Sequence, residues 1–296
     1  MPRTIKLVVR LTILMMCSAI FYPTSPFAQP KSESSSVVRL NQIKENIYGV
    51  IGGQCNTGFI VTEKEVLAVD AEMNPDFAKA MINSIKGKTD KPVNYILLKH
   101  GDRDHVGGLS GWPENIKIIA HENTIKNLVQ RSGLKENQPR QTFSDRMTLE
   151  SGEMIIEMYY FGPAHTDGDI VIYCPTEKVA FTGDLIFLGK DPLIKSNSGS
   201  LGIISALKGV LELDADIFIP GHRANIINRK ELEQYLKDIE EKRIKIEALI
   251  KEGKTIDEVK KIFYPRGVKT KKSKSGKKKA SPSFVEIIYH EIMEQK

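Results

Sequence analysis

Along this chain of 296 residues, apolar positions fall into short runs and into longer stretches spaced by three and four. The runs at residues 37–40, 47–51, 58–61 and 66–69 are rich in Val, Ile and Leu and are separated by Gly, Asn and charged residues. Such runs predict a meander of strands. Pro75 then opens a stretch with Phe77, Ala78, Met81, Ile82 and Ile85 at helical spacing, and proline suits the first turn of a helix. A strand at 93–98 ends just before His100. The second half repeats the theme, with a strand at 116–120, a helix at 122–130 and strands at 154–161, 170–174 and 179–182. A helix at 201–213, a buried strand at 217–219 and a charged amphipathic helix at 229–251 follow. Two shorter helices are predicted at 256–263 and 284–294, and Thr255 with Glu258 has the spacing of a capping box. Gly52, Gly53 and Gly58 read as hairpin turns, since no helix follows them as a dinucleotide fingerprint requires. Strands and helices alternating in two blocks predict an α+β arrangement of sheets with helices packed outside.

The ends of the chain change the picture. Arg3, Lys6 and Arg10 precede a mostly apolar stretch at 11–22, and Ala28 offers a cleavage point. Residues 1–28 therefore read as a signal peptide, with an uncleaved anchor as the alternative; the stretch is short of the roughly 20 residues a membrane span needs. Export to the periplasm or beyond is expected. The body is read as one domain over 37–265, followed by a basic loop at 266–283 and a terminal helix at 284–296. The formal charge of +6 is concentrated in that loop, whose one Arg and seven Lys face no acid; without those eight charges the chain stands at −2. The tract from Lys269 to Lys279 suggests at most weak contact with an anionic surface, and no specific nucleic-acid partner is expected. Of three cysteines, Cys17 lies in the leader. Cys55 and Cys174 are either a disulfide or two buried thiols. Oligomeric state is not legible.

Six histidines occur, and four of them fall where a predicted strand meets a loop. The first cluster is His100-Gly101-Asp102-Arg103-Asp104-His105. His165 follows in Gly162-Pro163-Ala164-His165, Asp184 in Phe181-Thr182-Gly183-Asp184, and His222 in Ile219-Pro220-Gly221-His222. Strand ends let side chains from distant segments converge in one cleft. Imidazole and carboxylate are the donors that borderline and hard divalent metals prefer, and so many polar groups beside buried strands are costly unless something binds them. His121 follows a strand but matches no ligand motif and reads as structural or surface, His290 reads as solvated, and Asp167 and Asp169 read as shaping the His165 loop.

This ordered set, with Asp70 at an earlier strand end, resembles the metallo-β-lactamase superfamily over residues 38–228. The resemblance implies a four-layer αββα sandwich with metals at the sheet edges. It further implies that His100 and His165 hold a first metal, that Asp104, His105 and His222 hold a second, that Asp184 bridges them, and that Asp70 steadies the loops behind. Two divalent ions are expected, Zn first, with Fe or Mn open. Asp102, a further expected ligand of the first metal with weak binding as the alternative, departs from the pattern, because most of the superfamily has His there; a carboxylate shifts preference toward harder ions, and the flavodiiron proteins are similar in this respect. Asp184 departs from true class B β-lactamases, which carry Cys or Ser, and is similar to glyoxalase II and its relatives.

The activity so implied is hydrolysis of a small ester, thioester or amide by a metal-activated water, with Asp104 as the catalytic carboxylate and β-lactams disfavoured. No Gly-x-Ser-x-Gly nucleophile motif occurs. The stretch 187–200, with Lys190, Lys195 and Asn197, is expected to border the cleft and to meet the substrate. An iron-dependent redox or dioxygenase-type protein and a non-catalytic metal-binding protein are the alternatives, and a nuclease is a minor one.

Overall fold

The apolar runs pair into two sheets. The computed structural model describes residues 38–51, 54–131, 134, 138–222, 226–267 and 282–295; the proposed leader and the lysine tract from Lys269 to Lys279 lie outside them. In the first half, strands β1 (Arg39–Lys44), β2 (Ile47–Ile51), β3 (Thr57–Val61) and β4 (Val66–Val69) form an antiparallel meander. Helix α1 (Pro75–Lys86), capped by Asn74, leads to β5 (Val93–Leu97), the short helix α2 (Arg103–Val106), β6 (Lys117–His121), α3 (Glu122–Gln130) and β7 (Arg140–Phe143). The parallel pairs β4–β5, β5–β6 and β6–β7 complete a seven-stranded sheet.

The second sheet has six strands: β8 (Arg146–Ser151), β9 (Met154–Tyr159), β10 (Val171–Cys174), β11 (Val179–Gly183), β12 (Ile217–Pro220) and β13 (Ile227–Asn228). Helix α4 (Gly199–Glu212) crosses between β11 and β12, which run parallel. Helices α5 (Arg229–Lys251), α6 (Ile256–Phe263) and α7 (Phe284–Glu294) follow, each opened by a capping box.

Residue alternation sorts the core into three layers of side chains. Leu67, Val69, Leu97 and Ile119 of the first sheet meet Ile172, Cys174, Phe181 and Ile219 of the second. Val66, Ala68, Ile96 and Ile118 point the other way, toward α1 and α3. Val171, Ala180 and Phe218 face α4, α5 and α7. Helix, sheet, sheet, helix is the expected four-layer sandwich. Helix α7 belongs to this body, since Phe284, Val285, Ile288 and Ile292 are buried in the outer core, each contributing about 1.5–3 kcal/mol by removal from water.

Several expectations need correction. β7, β8 and β13 were not foreseen, and α2 interrupts what read as a loop. β7 and β8 are edge strands of their sheets, with most side chains of the first and half of those of the second exposed, so their apolar signal is thin. β1 extends to Lys44, beyond the expected end at 40. Gly58 is not in a turn. It sits within β3 opposite Gly49, where a Cβ would lie 2.5 Å from the Tyr48 carbonyl and 2.6 Å from the Phe181 ring. Gly52 and Gly53 lie outside the described residues. Cys55 and Cys174 are separate, buried and free, so the thiol alternative holds.

Candidate metal centre

The functional residues sit at the ends of strands from both sheets. Asp70 follows β4 in the left-handed region, at φ 63°, a conformation Asp tolerates better than most residues. Its carboxylate accepts from the Lys99 backbone N–H at 2.8 Å and lies 3.0 Å from Lys99 Nζ and 2.6 Å from His105 Nδ1. Lys99 Nζ also donates to the Asn56 carbonyl at 2.9 Å. Burial alone raises the Asp70 carboxyl, but Lys99 and His105 outweigh it and bring it down to about 2. An ionised Asp70 fixes the His105 proton on Nδ1, leaving Nε2 to face the site.

His165 is set the same way, since its Nδ1 donates to the Leu193 carbonyl at 2.5 Å. His165 Nε2 is 2.8 Å from Asp102 Oδ2 and 3.3 Å from Asp184 Oδ2. His105 Nε2 is 3.4 Å from Asp184 Oδ1, and His222 Nε2 is 3.3 Å from Asp184 Oδ2 and 3.1 Å from Asp104 Oδ2. His100, fully buried, lies 3.6 Å from Asp102 through Nδ1 and 3.8 Å from Asp184 through Nε2. All seven expected ligands are therefore together. The donor atoms of His100, Asp102 and His165 lie within 4.8 Å of one another, as do those of Asp104, His105 and His222, and a third such set, His100, His105 and Asp184, joins the two.

The charges of this cluster favour a cation. Among the described residues, both ring nitrogens of His100, His105 Nε2 and Asp184 Oδ1 are buried with no hydrogen-bond partner. Such orphaned groups are costly in a protein interior. Burial alone lowers His105 and His222, but Asp70 and Asp184 carry the first up to about 10, and Asp104 and Asp184 carry the second up to about 9. His100 moves down instead, through burial and the neighbouring His105. Burial opposes ionisation of Asp184, yet the imidazoles of His100, His105 and His222 hold it well below the carboxylate range. Three carboxylates converging on inward-facing imidazole nitrogens fit divalent ions in both type and burial.

Beside this cluster lies a cleft of about 490 Å³, with Asp102, Asn127, Thr166, Lys195, Asn197 and Ser198 in its wall. Lys195 and Asn197 are where the sequence led us to expect them, and Lys195 forms an ion pair with Asp102. Lys190 is exposed and is not part of this wall. His121 is structural: it caps α3, bonds the Ser144 carbonyl at 2.9 Å and stacks on Tyr160. Asp169 binds the Thr166 N–H and hydroxyl and so shapes the His165 loop, while His290 is exposed. Sequence reasoning missed Lys99, Asn56 and Phe187, whose ring stacks on His222 at 5.6 Å. A lysine closing an apolar strand beside His100 was the signal available for the first.

Fold and site together define a metallohydrolase-like sandwich. The chain belongs to the metallo-beta-lactamase superfamily, whose family model matches residues 50–222. Its relatives include the 2,4-dinitroanisole O-demethylase subunit alpha of Nocardioides sp. (strain JS1661), 27% identical over 183 residues, which are 61% of this chain and 56% of that one. The chain thus spans little more than half the length of that subunit. The metallo-beta-lactamase type 2 of Bacteroides fragilis is 24% identical over 185 residues, covering 59% of this chain and 73% of the relative. Among solved structures, the metallo-beta-lactamase from Pontibacter korlensis superposes with a TM-score of 0.62 at 18% identity, over 69% of this chain and 99% of its own.

Proposed function

We propose that this protein is an exported hydrolase that uses two divalent ions, Zn first, to cleave a small ester, thioester or amide. One observation carries the reading: Asp184 lies within 4 Å of four imidazoles, from His100, His105, His165 and His222, and buried nitrogens among them have no hydrogen-bond partner among the described residues. His100, Asp102 and His165 would hold one ion, Asp104, His105 and His222 the other, with Asp184 between. When bound, such ions supply Lewis acidity and bring the pKa of water to about 7. The rest of the work falls to the chain.

Asp70 holds the His105 tautomer and the Leu193 carbonyl holds that of His165, so each presents Nε2 without reorganisation. Asp104 is the least buried of the candidate carboxylates, with 30% of its side chain exposed. In this reading Asp104 orients a water and takes its proton. The Lys195 ammonium at the cleft wall suits a substrate carrying an anionic group, and the hydroxyl and amide groups around it favour a polar molecule. The Asp102 carboxylate supports a second reading, an iron-dependent redox protein, because oxygen donors favour harder ions. Export rests on the basic and apolar leader alone.

The test is metal analysis of the purified protein, followed by a thioester, lactone and β-lactam panel on the same sample. The expected result is bound Zn and turnover of at least one ester-like substrate, lost with a chelator and restored by Zn. Bound iron without hydrolysis of any substrate would favour the redox reading, and a metal-replete protein inert on every substrate would sink the proposal.

A further inference from the structure

The family match ends at residue 222, yet helices α5 to α7 lie beyond it and reach back to the stretch 187–200 at three separate points. At its start, the Phe187 N–H donates to the Tyr235 hydroxyl of α5 at 3.1 Å. In its middle, Asp191 binds Lys242 of α5 and accepts from the Tyr264 hydroxyl, just after α6, at 2.5 Å. At its end, Glu291 of α7 accepts from the Ser200 N–H at 2.6 Å and from the Ser200 hydroxyl. Arg243 of α5 ties this contact together, at 2.7 Å from Glu291 and 2.6 Å from the Ser200 hydroxyl. Gly199, at φ 66°, is what permits so close an approach, since a Cβ there would lie 1.4 Å from Glu291 Oε1.

Between these anchors the same stretch touches the metal centre. Leu193 offers the carbonyl that sets His165, and the Lys195 and Ser196 N–H groups donate to the His165 carbonyl at 2.7 and 3.2 Å. The Ser196 and Ser198 hydroxyls donate to the Ala164 carbonyl at 2.7 and 2.9 Å. Phe187 stacks on His222. Lys195, Asn197 and Ser198 also line the cleft. Docking of α7 does not require Glu291, because four buried apolar side chains already seat that helix.

We propose that helices α5 to α7 form a clamp on residues 187–200, in which Asp191 and Glu291 are positioning residues for His165 and for the cleft wall. The clamp sets how firmly the His165 group holds its ion and how well the cleft fits its substrate. The consequence for catalysis rests on the metallohydrolase reading above; the mechanical coupling does not. The general expectation is that partners behind a ligand alter metal affinity by about 10–100-fold.

The experiment compares the full-length protein with Glu291→Ala, Glu291→Asp and Asp191→Ala, using Zn²⁺ alone as the probe and amide hydrogen exchange as a second readout. In Glu291→Ala, exchange across 187–200 is expected to accelerate while α7 stays protected. Affinity for Zn²⁺ at the His165 group falls by about tenfold or more, and Glu291→Asp recovers part of it. With a substrate in hand, KM rises more than kcat falls. Asp191→Ala acts on an independent anchor and provides the test if Glu291→Ala does not fold. Unchanged exchange in 187–200 and unchanged Zn²⁺ affinity, beside a lowered melting temperature, would reduce these contacts to glue and overturn the clamp. If the parent protein binds no Zn²⁺, the functional reading fails while the exchange data still judge the clamp.

Discussion

Asp102 is shared between opposing partners, the Lys195 ammonium on one side and the His165 and His100 imidazoles on the other. An imidazole at this position would keep a donor for the cation and lose the ion pair. Asp102→His is therefore expected to raise Zn occupancy of the His100–His165 group toward one ion, read as Zn per chain after dialysis. Equal metal content in variant and parent would remove Asp102 from the ligand set. The candidate ligands were legible because imidazoles are few, several stand where apolar runs stop, and their order with the acids resembles the superfamily's. The Lys195–Asp102 pair was not, since 93 positions separate its members and no spacing rule links them. Phe187 was equally hidden, because one aromatic in a loop has the same local pattern whether it stacks on a ligand or faces water.

At the level of elements, α6 and α7 are joined by Lys260 and Glu286, 2.6 Å apart. Burial alone raises the Glu286 carboxyl, but Lys260 and the Ser283 cap outweigh it and bring it down to about 2 from an ordinary 4.5. A depressed carboxyl contributes stability above its unfolded value and loses it as the pH falls through the folded one. Between about pH 5 and about pH 3, the parent should lose stability to urea more steeply than Glu286→Gln; parallel curves would assign the contact no part in folding. Central strands and long helices were legible because both periods repeat several times within each. The edge strands β7 and β8 were not, since their backbone pairs with one neighbour while most side chains of β7 and half of those of β8 face water. Gly58 misled for a related reason. Glycine usually marks a turn, but here it marks a close approach between β3 and the Phe181 ring of the facing sheet.

In the molecule as a whole, the first sheet and its loops contribute Asp70 and His100 to His105, whereas the second contributes His165, Asp184 and His222. An ion held between them binds the folded chain and not the unfolded one, adding about 2.7 kcal/mol at a hundredfold excess over its Kd. Zn should therefore raise the melting temperature of the stripped protein, and Asp184→Asn should abolish most of that rise while the Zn-free protein still folds. An equal rise in both proteins would remove Asp184 from the bridge. The order of synthesis gives this arrangement a further meaning. The earliest donors emerge from the ribosome more than a hundred residues before His222, so a chain ended before that residue lacks one member of the Asp104, His105 and His222 group. On the proposed assignment, a product truncated before residue 222 cannot assemble that group, so only binding of the second ion requires that translation has passed that residue.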